Sequence, residues 1–336
     1  MDGSMILEWV LKSVFILLFM TAGFAYVTLF ERRVLARMQV RIGPNRAGPG
    51  GLLQPVADGI KLIFKEELIP ANADKLIFIV APIITVIPAL VITAVVPWGG
   101  TIDLFGRPVS LYLSDVNVGV LFILAVTSIS VYGITLAGWS SNNKYALLGG
   151  LRATAQMISY ELSLGMSFIG PILLAGSMSM LDIVNSQAQV WNIVYQPLGF
   201  IIYMFASLAE VNRAPFDMPE AEQELTAGYH VEYSSMKFAL FFMAEYIKVI
   251  AIGMIGASLF LGGFHVPFVD AARYPWVGPI ALLAKTVLWL FVVVWMRATL
   301  PHIRYDRLMA LGWKIMFPLA LLNVFITAVV VVLAGG

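Results

Sequence analysis

The chain has 336 residues, of which 60% are hydrophobic and 12% are charged, and its formal net charge is +1. Soluble globular domains carry about 25% charged residues, so this composition predicts an integral membrane protein. The small net charge gives no general attraction to nucleic acid, and the lack of cysteine excludes disulfides, thiolate metal sites and iron–sulfur clusters held by this chain.

The apolar segments predict an all-α membrane protein with about eight transmembrane helices. A helix needs roughly 20 apolar residues to cross the hydrocarbon core of a bilayer. In chain order, the expected spans are 13–30, 76–102, 116–143, 153–177, 183–209, 238–262, 276–296 and 315–336. The first is too long for a cleavable signal peptide, and most nearby basic residues follow it. We therefore expect a single polytopic membrane domain over residues 1–336.

The distribution of Lys and Arg predicts how the chain is oriented. Sixteen of these residues fall in the first, third, fifth and seventh loops, and only two fall in the other three loops. The first loop, residues 31–75, holds eight. Because basic loops are retained in the cytoplasm, we expect these four loops to be cytoplasmic and both termini to lie outside.

The first loop joins a segment rich in Gly and Pro to a predicted amphipathic helix. Six of the nine residues in 43–51 are Gly or Pro, which disfavours a helix there. In "LQPVADGIKLIFKEEL", Asp58, Lys61 and Lys65 share one helical face and apolar residues share the other. Such a helix is expected to lie along the membrane interface. It fits either a surface anchor or a docking surface at the mouth of a cavity.

Three predicted spans each place a carboxylate towards their cytoplasmic end. Glu161 lies eight residues into the fourth span, roughly 12 Å at helical rise, and Glu245 lies seven residues into the sixth, roughly 10 Å. Glu210 ends the fifth span. A charge at mid-membrane costs roughly 2.5–3.5 kcal/mol on insertion scales, so it normally faces a partner or a water-filled cavity. Since burial favours neutral carboxylic acids, these groups are candidates for proton exchange near neutral pH.

The alternative is that these acids only pair with lysines. Lys248 is three residues beyond Glu245 and within helical reach of it. Glu161 has no basic residue within reach in its own span, which favours a relay. Lys285, alone in the seventh span, is either a partner for Glu161 or a further relay member.

The segment "AEVNRAPFDMPEAEQELTAGYHVEY", residues 209–233, concentrates six carboxylates in one cytoplasmic loop against Arg213 and His230. Its spacing is not that of an EF-hand, and the three histidines of the chain offer neither paired haem ligands nor a metal cluster. A lone loop histidine is usually solvated or capped. Without strand–helix alternation around a GxGxxG motif, nicotinamide or flavin binding by this chain is not expected.

Two segments carry a family signature. "ERRVLARMQVRIGPNRAGPGGLLQPVADGIKL" and "AEVNRAPFDMPEAEQELTAGYHVEYSSMKFALFFMAEY" resemble the H-subunit family of bacterial NADH:quinone oxidoreductase, respiratory complex I, which is similar to mitochondrial NADH dehydrogenase subunit 1. The resemblance covers nearly the whole chain. It implies an inner-membrane (cell membrane) subunit that joins the membrane arm to the peripheral arm and helps form a chamber for ubiquinone or menaquinone. It also implies FMN and iron–sulfur clusters in partner subunits, and no redox cofactor or metal in this one.

The resemblance implies roles for particular residues. A buried proton path would be lined by the acids of "SYE", "AEVNR" and "MAEY", which are Glu161, Glu210 and Glu245. An acidic coupling loop beside the quinone cavity would hold Asp217, Glu220, Glu222 and Glu224. The quinone entrance would be bordered by Arg33, Ala57, Asp58 and Lys61. Some family members carry a further acid in the third span, and this chain has none in 116–143.

Together with the buried acids, the resemblance implies a translocase subunit that couples quinone reduction to proton transfer through buried carboxylates. Its expected partners are the other complex I subunits, quinone and membrane lipid. Three alternatives use the same residues: a stand-alone cation or proton carrier, the equivalent subunit of a membrane-bound hydrogenase, and a purely structural anchor. The two-fold internal similarity common in carriers is not evident in the sequence.

Overall fold

The computed structural model describes residues 3–104, 107–218, 225–267 and 274–334, and in these ranges the chain is a bundle of long helices. Seven helices of the described chain are long and apolar enough to cross a membrane, which confirms the predicted all-α membrane class. They comprise α1 (Gly3–Met38), α3 (Lys75–Val91), α4 (Gly119–Ser140), α5 (Lys144–Ala175), α9 (Ser235–Phe260), α10 (Val277–Thr299) and the stretch formed by α11 (Tyr305–Leu311), a π-helical turn (Gly312–Met316) and α12 (Phe317–Ala334).

The fifth predicted span is a broken segment and not one helix. It consists of α6 (Met180–Ser186), α7 (Asn192–Tyr195) and α8 (Pro197–Glu210), of which only α8, with 14 residues, is a sizeable apolar helix. The breaks are stabilised by buried amides. Gln187 Oε1 accepts hydrogen bonds from the backbone N–H groups of Asn192 and Gly262, at 3.1 and 3.0 Å. Pro197 then starts α8, since its missing N–H costs nothing in a first turn.

The second predicted span, 76–102, is too long at its C-terminal end. Helix α3 ends at Val91 and continues as a 3-10 helix over Ile92–Val95. An antiparallel hairpin follows, in which β1 (Thr101–Leu104) pairs with β2 (Arg107–Ser110) and Thr101 lies opposite Ser110. Pro97 and the Gly99–Gly100 pair separate helix from hairpin, because neither residue type favours continuing a helix.

The predicted amphipathic helix is confirmed as α2 (Gln54–Phe64), with Pro55 in its first turn. None of its residues is buried against the rest of the chain. Asp58, on the polar face, binds Arg32 of α1 at 2.6 Å. The apolar side chains of Ile60 and Phe64 remain uncovered, as an interfacial helix requires.

Helix α9 is the most buried of the long helices and packs against α1, α3 and α10. Helix α4 packs closely between α3 and α5. Gly133 allows this approach, because a Cβ atom there would lie 2.1 Å from Thr85 Oγ1 of α3. The small glycine thus holds α3 and α4 close together.

Candidate functional site

Two of the three predicted acids meet at a small buried cavity. Glu210, at the end of α8, and Glu245, on α9, line it together with Lys248 of α9 and Thr85 of α3. Its volume is about 20 Å³, which is room for about one water molecule. The helices thus bring two acids and a lysine from distant parts of the sequence to one enclosed space.

Glu210 is the most deeply buried of these groups. Its residue is 1% exposed, and neither carboxylate oxygen has a hydrogen-bond partner among the described residues. A buried polar group without a hydrogen bond is costly, so Glu210 depends on nearby charge or on a molecule in the cavity. The charged groups that act on it are Lys248 and Glu161.

Glu161 lies beside this cavity but does not line it. It is half-buried on α5, and its carboxylate accepts a hydrogen bond from the Ser128 hydroxyl of α4. Glu161 and Glu210 are near enough to interact electrostatically. The three acids predicted from the sequence therefore form one cluster. Glu161 is hydrogen-bonded to α4, whereas Glu210 and Glu245 line the cavity.

Glu245 pairs with Arg213 and not with Lys248. Its Oε1 lies 2.7 Å from Nε of Arg213, which begins the acidic loop directly after α8. Lys248, the helical neighbour considered from the sequence, instead donates to the Ser130 hydroxyl of α4 at 2.6 Å. Burial lowers the pKa of Arg213, but Glu245, Tyr246 and Glu31 together outweigh this effect, and the pKa is raised overall.

A further cluster around Glu31 was not identified from the sequence. Glu31, 5% exposed near the end of α1, lies 3.5 Å from Nη1 of Arg213 and contacts Nη1 of Arg297. The Tyr246 hydroxyl donates to its other oxygen at 2.7 Å, and the Arg213 guanidinium stacks 4.1 Å from the Tyr246 ring centre. In the sequence, Glu31 and Arg297 are ordinary charges at span ends. No local pattern in the sequence indicates that these two helix ends are neighbours.

The acidic loop is only partly within the described residues. Glu220, Glu222 and Glu224 lie outside them. The backbone oxygen of Asp217 accepts a hydrogen bond from His302 at 3.2 Å, and its carboxylate acts electrostatically on Glu245. The predicted coupling loop therefore reaches the buried acids through its described first part, Arg213 to Asp217.

His230 is half-buried and packs against aromatic side chains. Its ring packs edge-on against Tyr229 and against Phe238. Burial lowers the pKa of His230 from 6.5 to about 4, because the interior disfavours the charged imidazolium. The residue is therefore neutral at pH 7.

Replacing His230 with Gln should reduce the acid sensitivity of the fold. The unfolded chain binds a proton at His230 below pH 6.5, whereas the folded chain binds it only near pH 4. Stability is therefore lost as the pH falls between these values, by up to about 3 kcal/mol at 1.36 kcal/mol per pKa unit. Melting temperatures of the purified complex at pH 7 and pH 5 measure the difference. The exposed His302→Gln variant is the control, and equal acid sensitivity in both variants would contradict the assignment.

The residues predicted to border a quinone entrance do not form one group. Arg33 lines an open cavity of about 740 Å³ with Arg37 of the same helix and Arg41 of the turn that follows it. Its guanidinium also binds the backbone oxygen of Gly50. The remaining three lie on α2 and do not line this cavity: Ala57, Asp58 and Lys61. The contact between α1 and α2 is made by Asp58 through Arg32.

Lys285 is not a partner of Glu161, and the expectation that it joins the buried acids is wrong. Its ammonium donates to the backbone oxygens of Gly263 and His265 at 2.7 and 2.6 Å, and lies 4.7 Å from the Trp191 ring centre. It therefore stabilises the loop after α9, at the end of the helix away from Glu245. Within the described residues, no group of His, Asp and Glu could hold a metal ion.

The family model and the most similar relatives all describe the same kind of protein. The family model described as NADH dehydrogenase matches residues 11–328. The NADH-quinone oxidoreductase H subunit of Thermomicrobium roseum is 51% identical over 327 residues, which is 94% of each chain. In Geobacter metallireducens, the H subunit numbered 1 is 52% identical over 310 residues, 92% of each chain. The H subunit of Protochlamydia amoebophila is 51% identical over 304 residues, 90% of this chain and 91% of the relative.

Proposed function

Because the chain belongs to the NADH dehydrogenase family, we propose that it is a membrane subunit of a proton-translocating NADH–quinone oxidoreductase. In this proposal it helps form the quinone chamber and couples quinone reduction to proton transfer through buried carboxylates. FMN and iron–sulfur clusters belong to partner subunits, and quinone is the substrate. The chain itself contributes titratable groups and no redox centre.

The observation that carries this proposal is the connection from the acidic loop to the buried acids. Arg213 begins the loop and lies 2.7 Å from Glu245, and Asp217 of the same loop acts on the same carboxylate. A change of charge at the loop during quinone reduction would alter the proton affinity of Glu245. Glu210 shares a cavity with Glu245, so the change passes to a second acid. Interacting acids of this kind titrate as a unit.

The relay then runs from Glu245 through Glu210 to Glu161. Glu161 ends this sequence at the Ser128 hydroxyl of α4. Moving one charge across 100 mV requires about 2.3 kcal/mol. Division of this work among three coupled groups keeps each step small.

The quinone chamber is proposed to lie where the basic loop, α2 and the acidic loop meet. Arg33 and the α2 residues Ala57, Asp58 and Lys61 would border its entrance. The acidic residues Asp217, Glu220, Glu222 and Glu224 would lie beside it. The uncovered apolar face of α2 suits the isoprenoid tail of a membrane quinone, since both require an apolar surface at the edge of the bilayer.

The orientation follows from the same proposal. The basic first loop and the acidic loop face the cytoplasm of a bacterial cell, where the peripheral subunits would bind, and both termini face outward. Membrane-arm subunits and lipid cover the apolar outer surfaces of the bundle. The chain then joins the redox arm to the membrane arm.

Replacing Glu161 with Gln tests the proposal. Gln keeps the size of the side chain and can accept the Ser128 hydrogen bond, but it cannot carry a proton. We expect coupled quinone reduction and proton pumping by the assembled complex to fall at least tenfold. Both are measured in sealed membrane vesicles, as NADH oxidation rate and as protons moved per electron pair.

The matched control is Glu8→Gln. Glu8 pairs with Lys12 near the N-terminal end of α1, whereas the three relay acids lie on other helices. Its replacement should leave both quantities unchanged. Wild-type rates and pumping in the Glu161→Gln complex would remove Glu161 from the relay and contradict the proposed function.

A further inference from the structure

Lys248 is a buried charge for which the three-acid relay gives no role. It lies thirteen residues beyond Ser235 in α9, roughly 20 Å along the helix, and is 7% exposed. An ionisable group this deep in a membrane helix is expensive to bury and usually marks an ion or proton pathway.

The ammonium of Lys248 has only part of its hydrogen-bonding capacity used within the protein. It has three N–H donors. Among the described residues its one hydrogen-bond acceptor is Ser130, at 2.6 Å, and that hydroxyl donates in turn to the backbone oxygen of Thr127 at 2.7 Å. Lys248 also lines the cavity shared by Glu210 and Glu245. Lys248 therefore shares this cavity with the two acids.

Glu210 complements Lys248 across this cavity. Both of its oxygens lack a hydrogen-bond partner in the described part of the chain, although the residue is almost fully buried. The cavity volume of about 20 Å³ suits one bridging water. All three acids, Glu210, Glu245 and Glu161, act electrostatically on Lys248. It is the basic group common to the whole cluster.

Helix α4 connects this cluster through hydroxyl groups. Ser130 accepts from Lys248, and Ser128 donates to Glu161. The two serines lie on the span that carries no acid in this chain. Helix α4 therefore contacts both Lys248 and Glu161 through side-chain hydroxyls.

We propose that Lys248 is a fourth relay residue, which gives its proton to Glu210 and regains one from Glu245. This inference rests on the proposed function. In the first step the N–H bond of the ammonium breaks and an O–H bond forms on the carboxylate, leaving a neutral amine and a neutral acid. In the second step the protonated carboxyl of Glu245 transfers its proton to that amine. Each step moves one proton, and no other reactant is consumed.

The variant Lys248→Arg separates this role from simple charge neutralisation. Arginine keeps the positive charge next to Glu210 but is not deprotonated in proteins. We expect the variant complex to assemble and its coupled NADH oxidation and proton pumping to fall at least tenfold. Wild-type rates and an unchanged number of protons per electron pair would overturn the inference, because a fixed counter-charge would then suffice.

Arginine is larger than lysine, so Ser130→Ala provides an independent test that changes little volume. Loss of the hydroxyl removes the hydrogen bond that positions Lys248. We expect coupled turnover to slow at least threefold and its solvent deuterium isotope effect to increase, since proton transfer at Lys248 becomes rate-limiting. Ser167→Ala on α5 is the matched control, because Ser167 is also buried and bonds only a helix carbonyl. An unchanged isotope effect in Ser130→Ala would overturn the inference.

The experiments distinguish an error in the role of Lys248 from an error in the proposed three-acid relay. If Glu161→Gln pumps normally, the carboxylate relay itself is wrong. If Glu161→Gln is inactive while the Lys248→Arg complex assembles and pumps normally, the three-acid relay stands and only the role of Lys248 is wrong.

Discussion

Replacement of Arg213 by Met should destabilise the protein more than any other single change considered. One guanidinium serves two buried carboxylates, Glu245 at 2.7 Å and Glu31 at 3.5 Å, and stacks on Tyr246. Its removal leaves Glu245 without its ion pair, and breaking a buried pair costs about 3–5 kcal/mol. We expect a marked decrease in the melting temperature of the purified complex and in the amount of this subunit recovered with its partners.

Two further variants test whether the unpaired carboxylate of Glu245 causes this loss of stability. Arg213→Met combined with Glu245→Gln should recover part of the lost stability, because the unpaired carboxylate is then absent. Arg304→Met is the control for loss of an arginine at an exposed ion pair. The Arg304 side chain is 79% exposed and lies 3.1 Å from Asp306. Surface pairs contribute about 0–1 kcal/mol, so equal effects of Arg213→Met and Arg304→Met would show that the buried cluster contributes little.

Replacement of Glu245 by Gln should have the largest effect on function. Gln still presents an oxygen to Arg213, and Glu31 still compensates the charge of Arg213. The fold should therefore be retained while the proton-carrying group at the start of the relay is lost. We expect at least a tenfold decrease in coupled quinone reduction, with a parallel loss of proton pumping in sealed vesicles.

Glu232→Gln is the matched control for this effect. Glu232 accepts a hydrogen bond from Asn143 at 2.7 Å and lies in the loop before α9, so the same chemical change is made at a hydrogen-bonded acid outside the cavity. Its coupled activity should be close to wild type. Equal pumping by the Glu245→Gln and Glu232→Gln complexes would exclude Glu245 as a proton carrier.

The membrane-spanning helices can largely be predicted from the sequence, but the breaks in them cannot. Apolar stretches of about 20 residues predict spans because every backbone group in a bilayer must be satisfied within the helix. The rule fails at residues 183–209, where buried Gln187 and Asn192 satisfy backbone groups at breaks in the helix. Such breaks depend on partners such as Leu259 and Gly262, which lie in a different part of the sequence.

The acids of the candidate site can be predicted from the sequence, but their ion-pair partners cannot. Glu210 and Glu245 stand out as acids in apolar segments, and both line the buried cavity. Local spacing pointed to Lys248 as the partner of Glu245, whereas the structure places Arg213 there. Lys285 is also a charge within an apolar segment, but it binds the backbone oxygens of Gly263 and His265 in the loop after α9.

A membrane bundle with acids in its spans can be predicted from the sequence, because hydrophobicity and the position of a charge within a helix are properties of the local chain. Which charges neutralise one another cannot be predicted in this way. Glu31 and Arg297 are 266 residues apart in the chain and yet in contact. Ion pairing in the interior depends on distances of a few ångströms between separate helices, and those distances are set by how the helices pack.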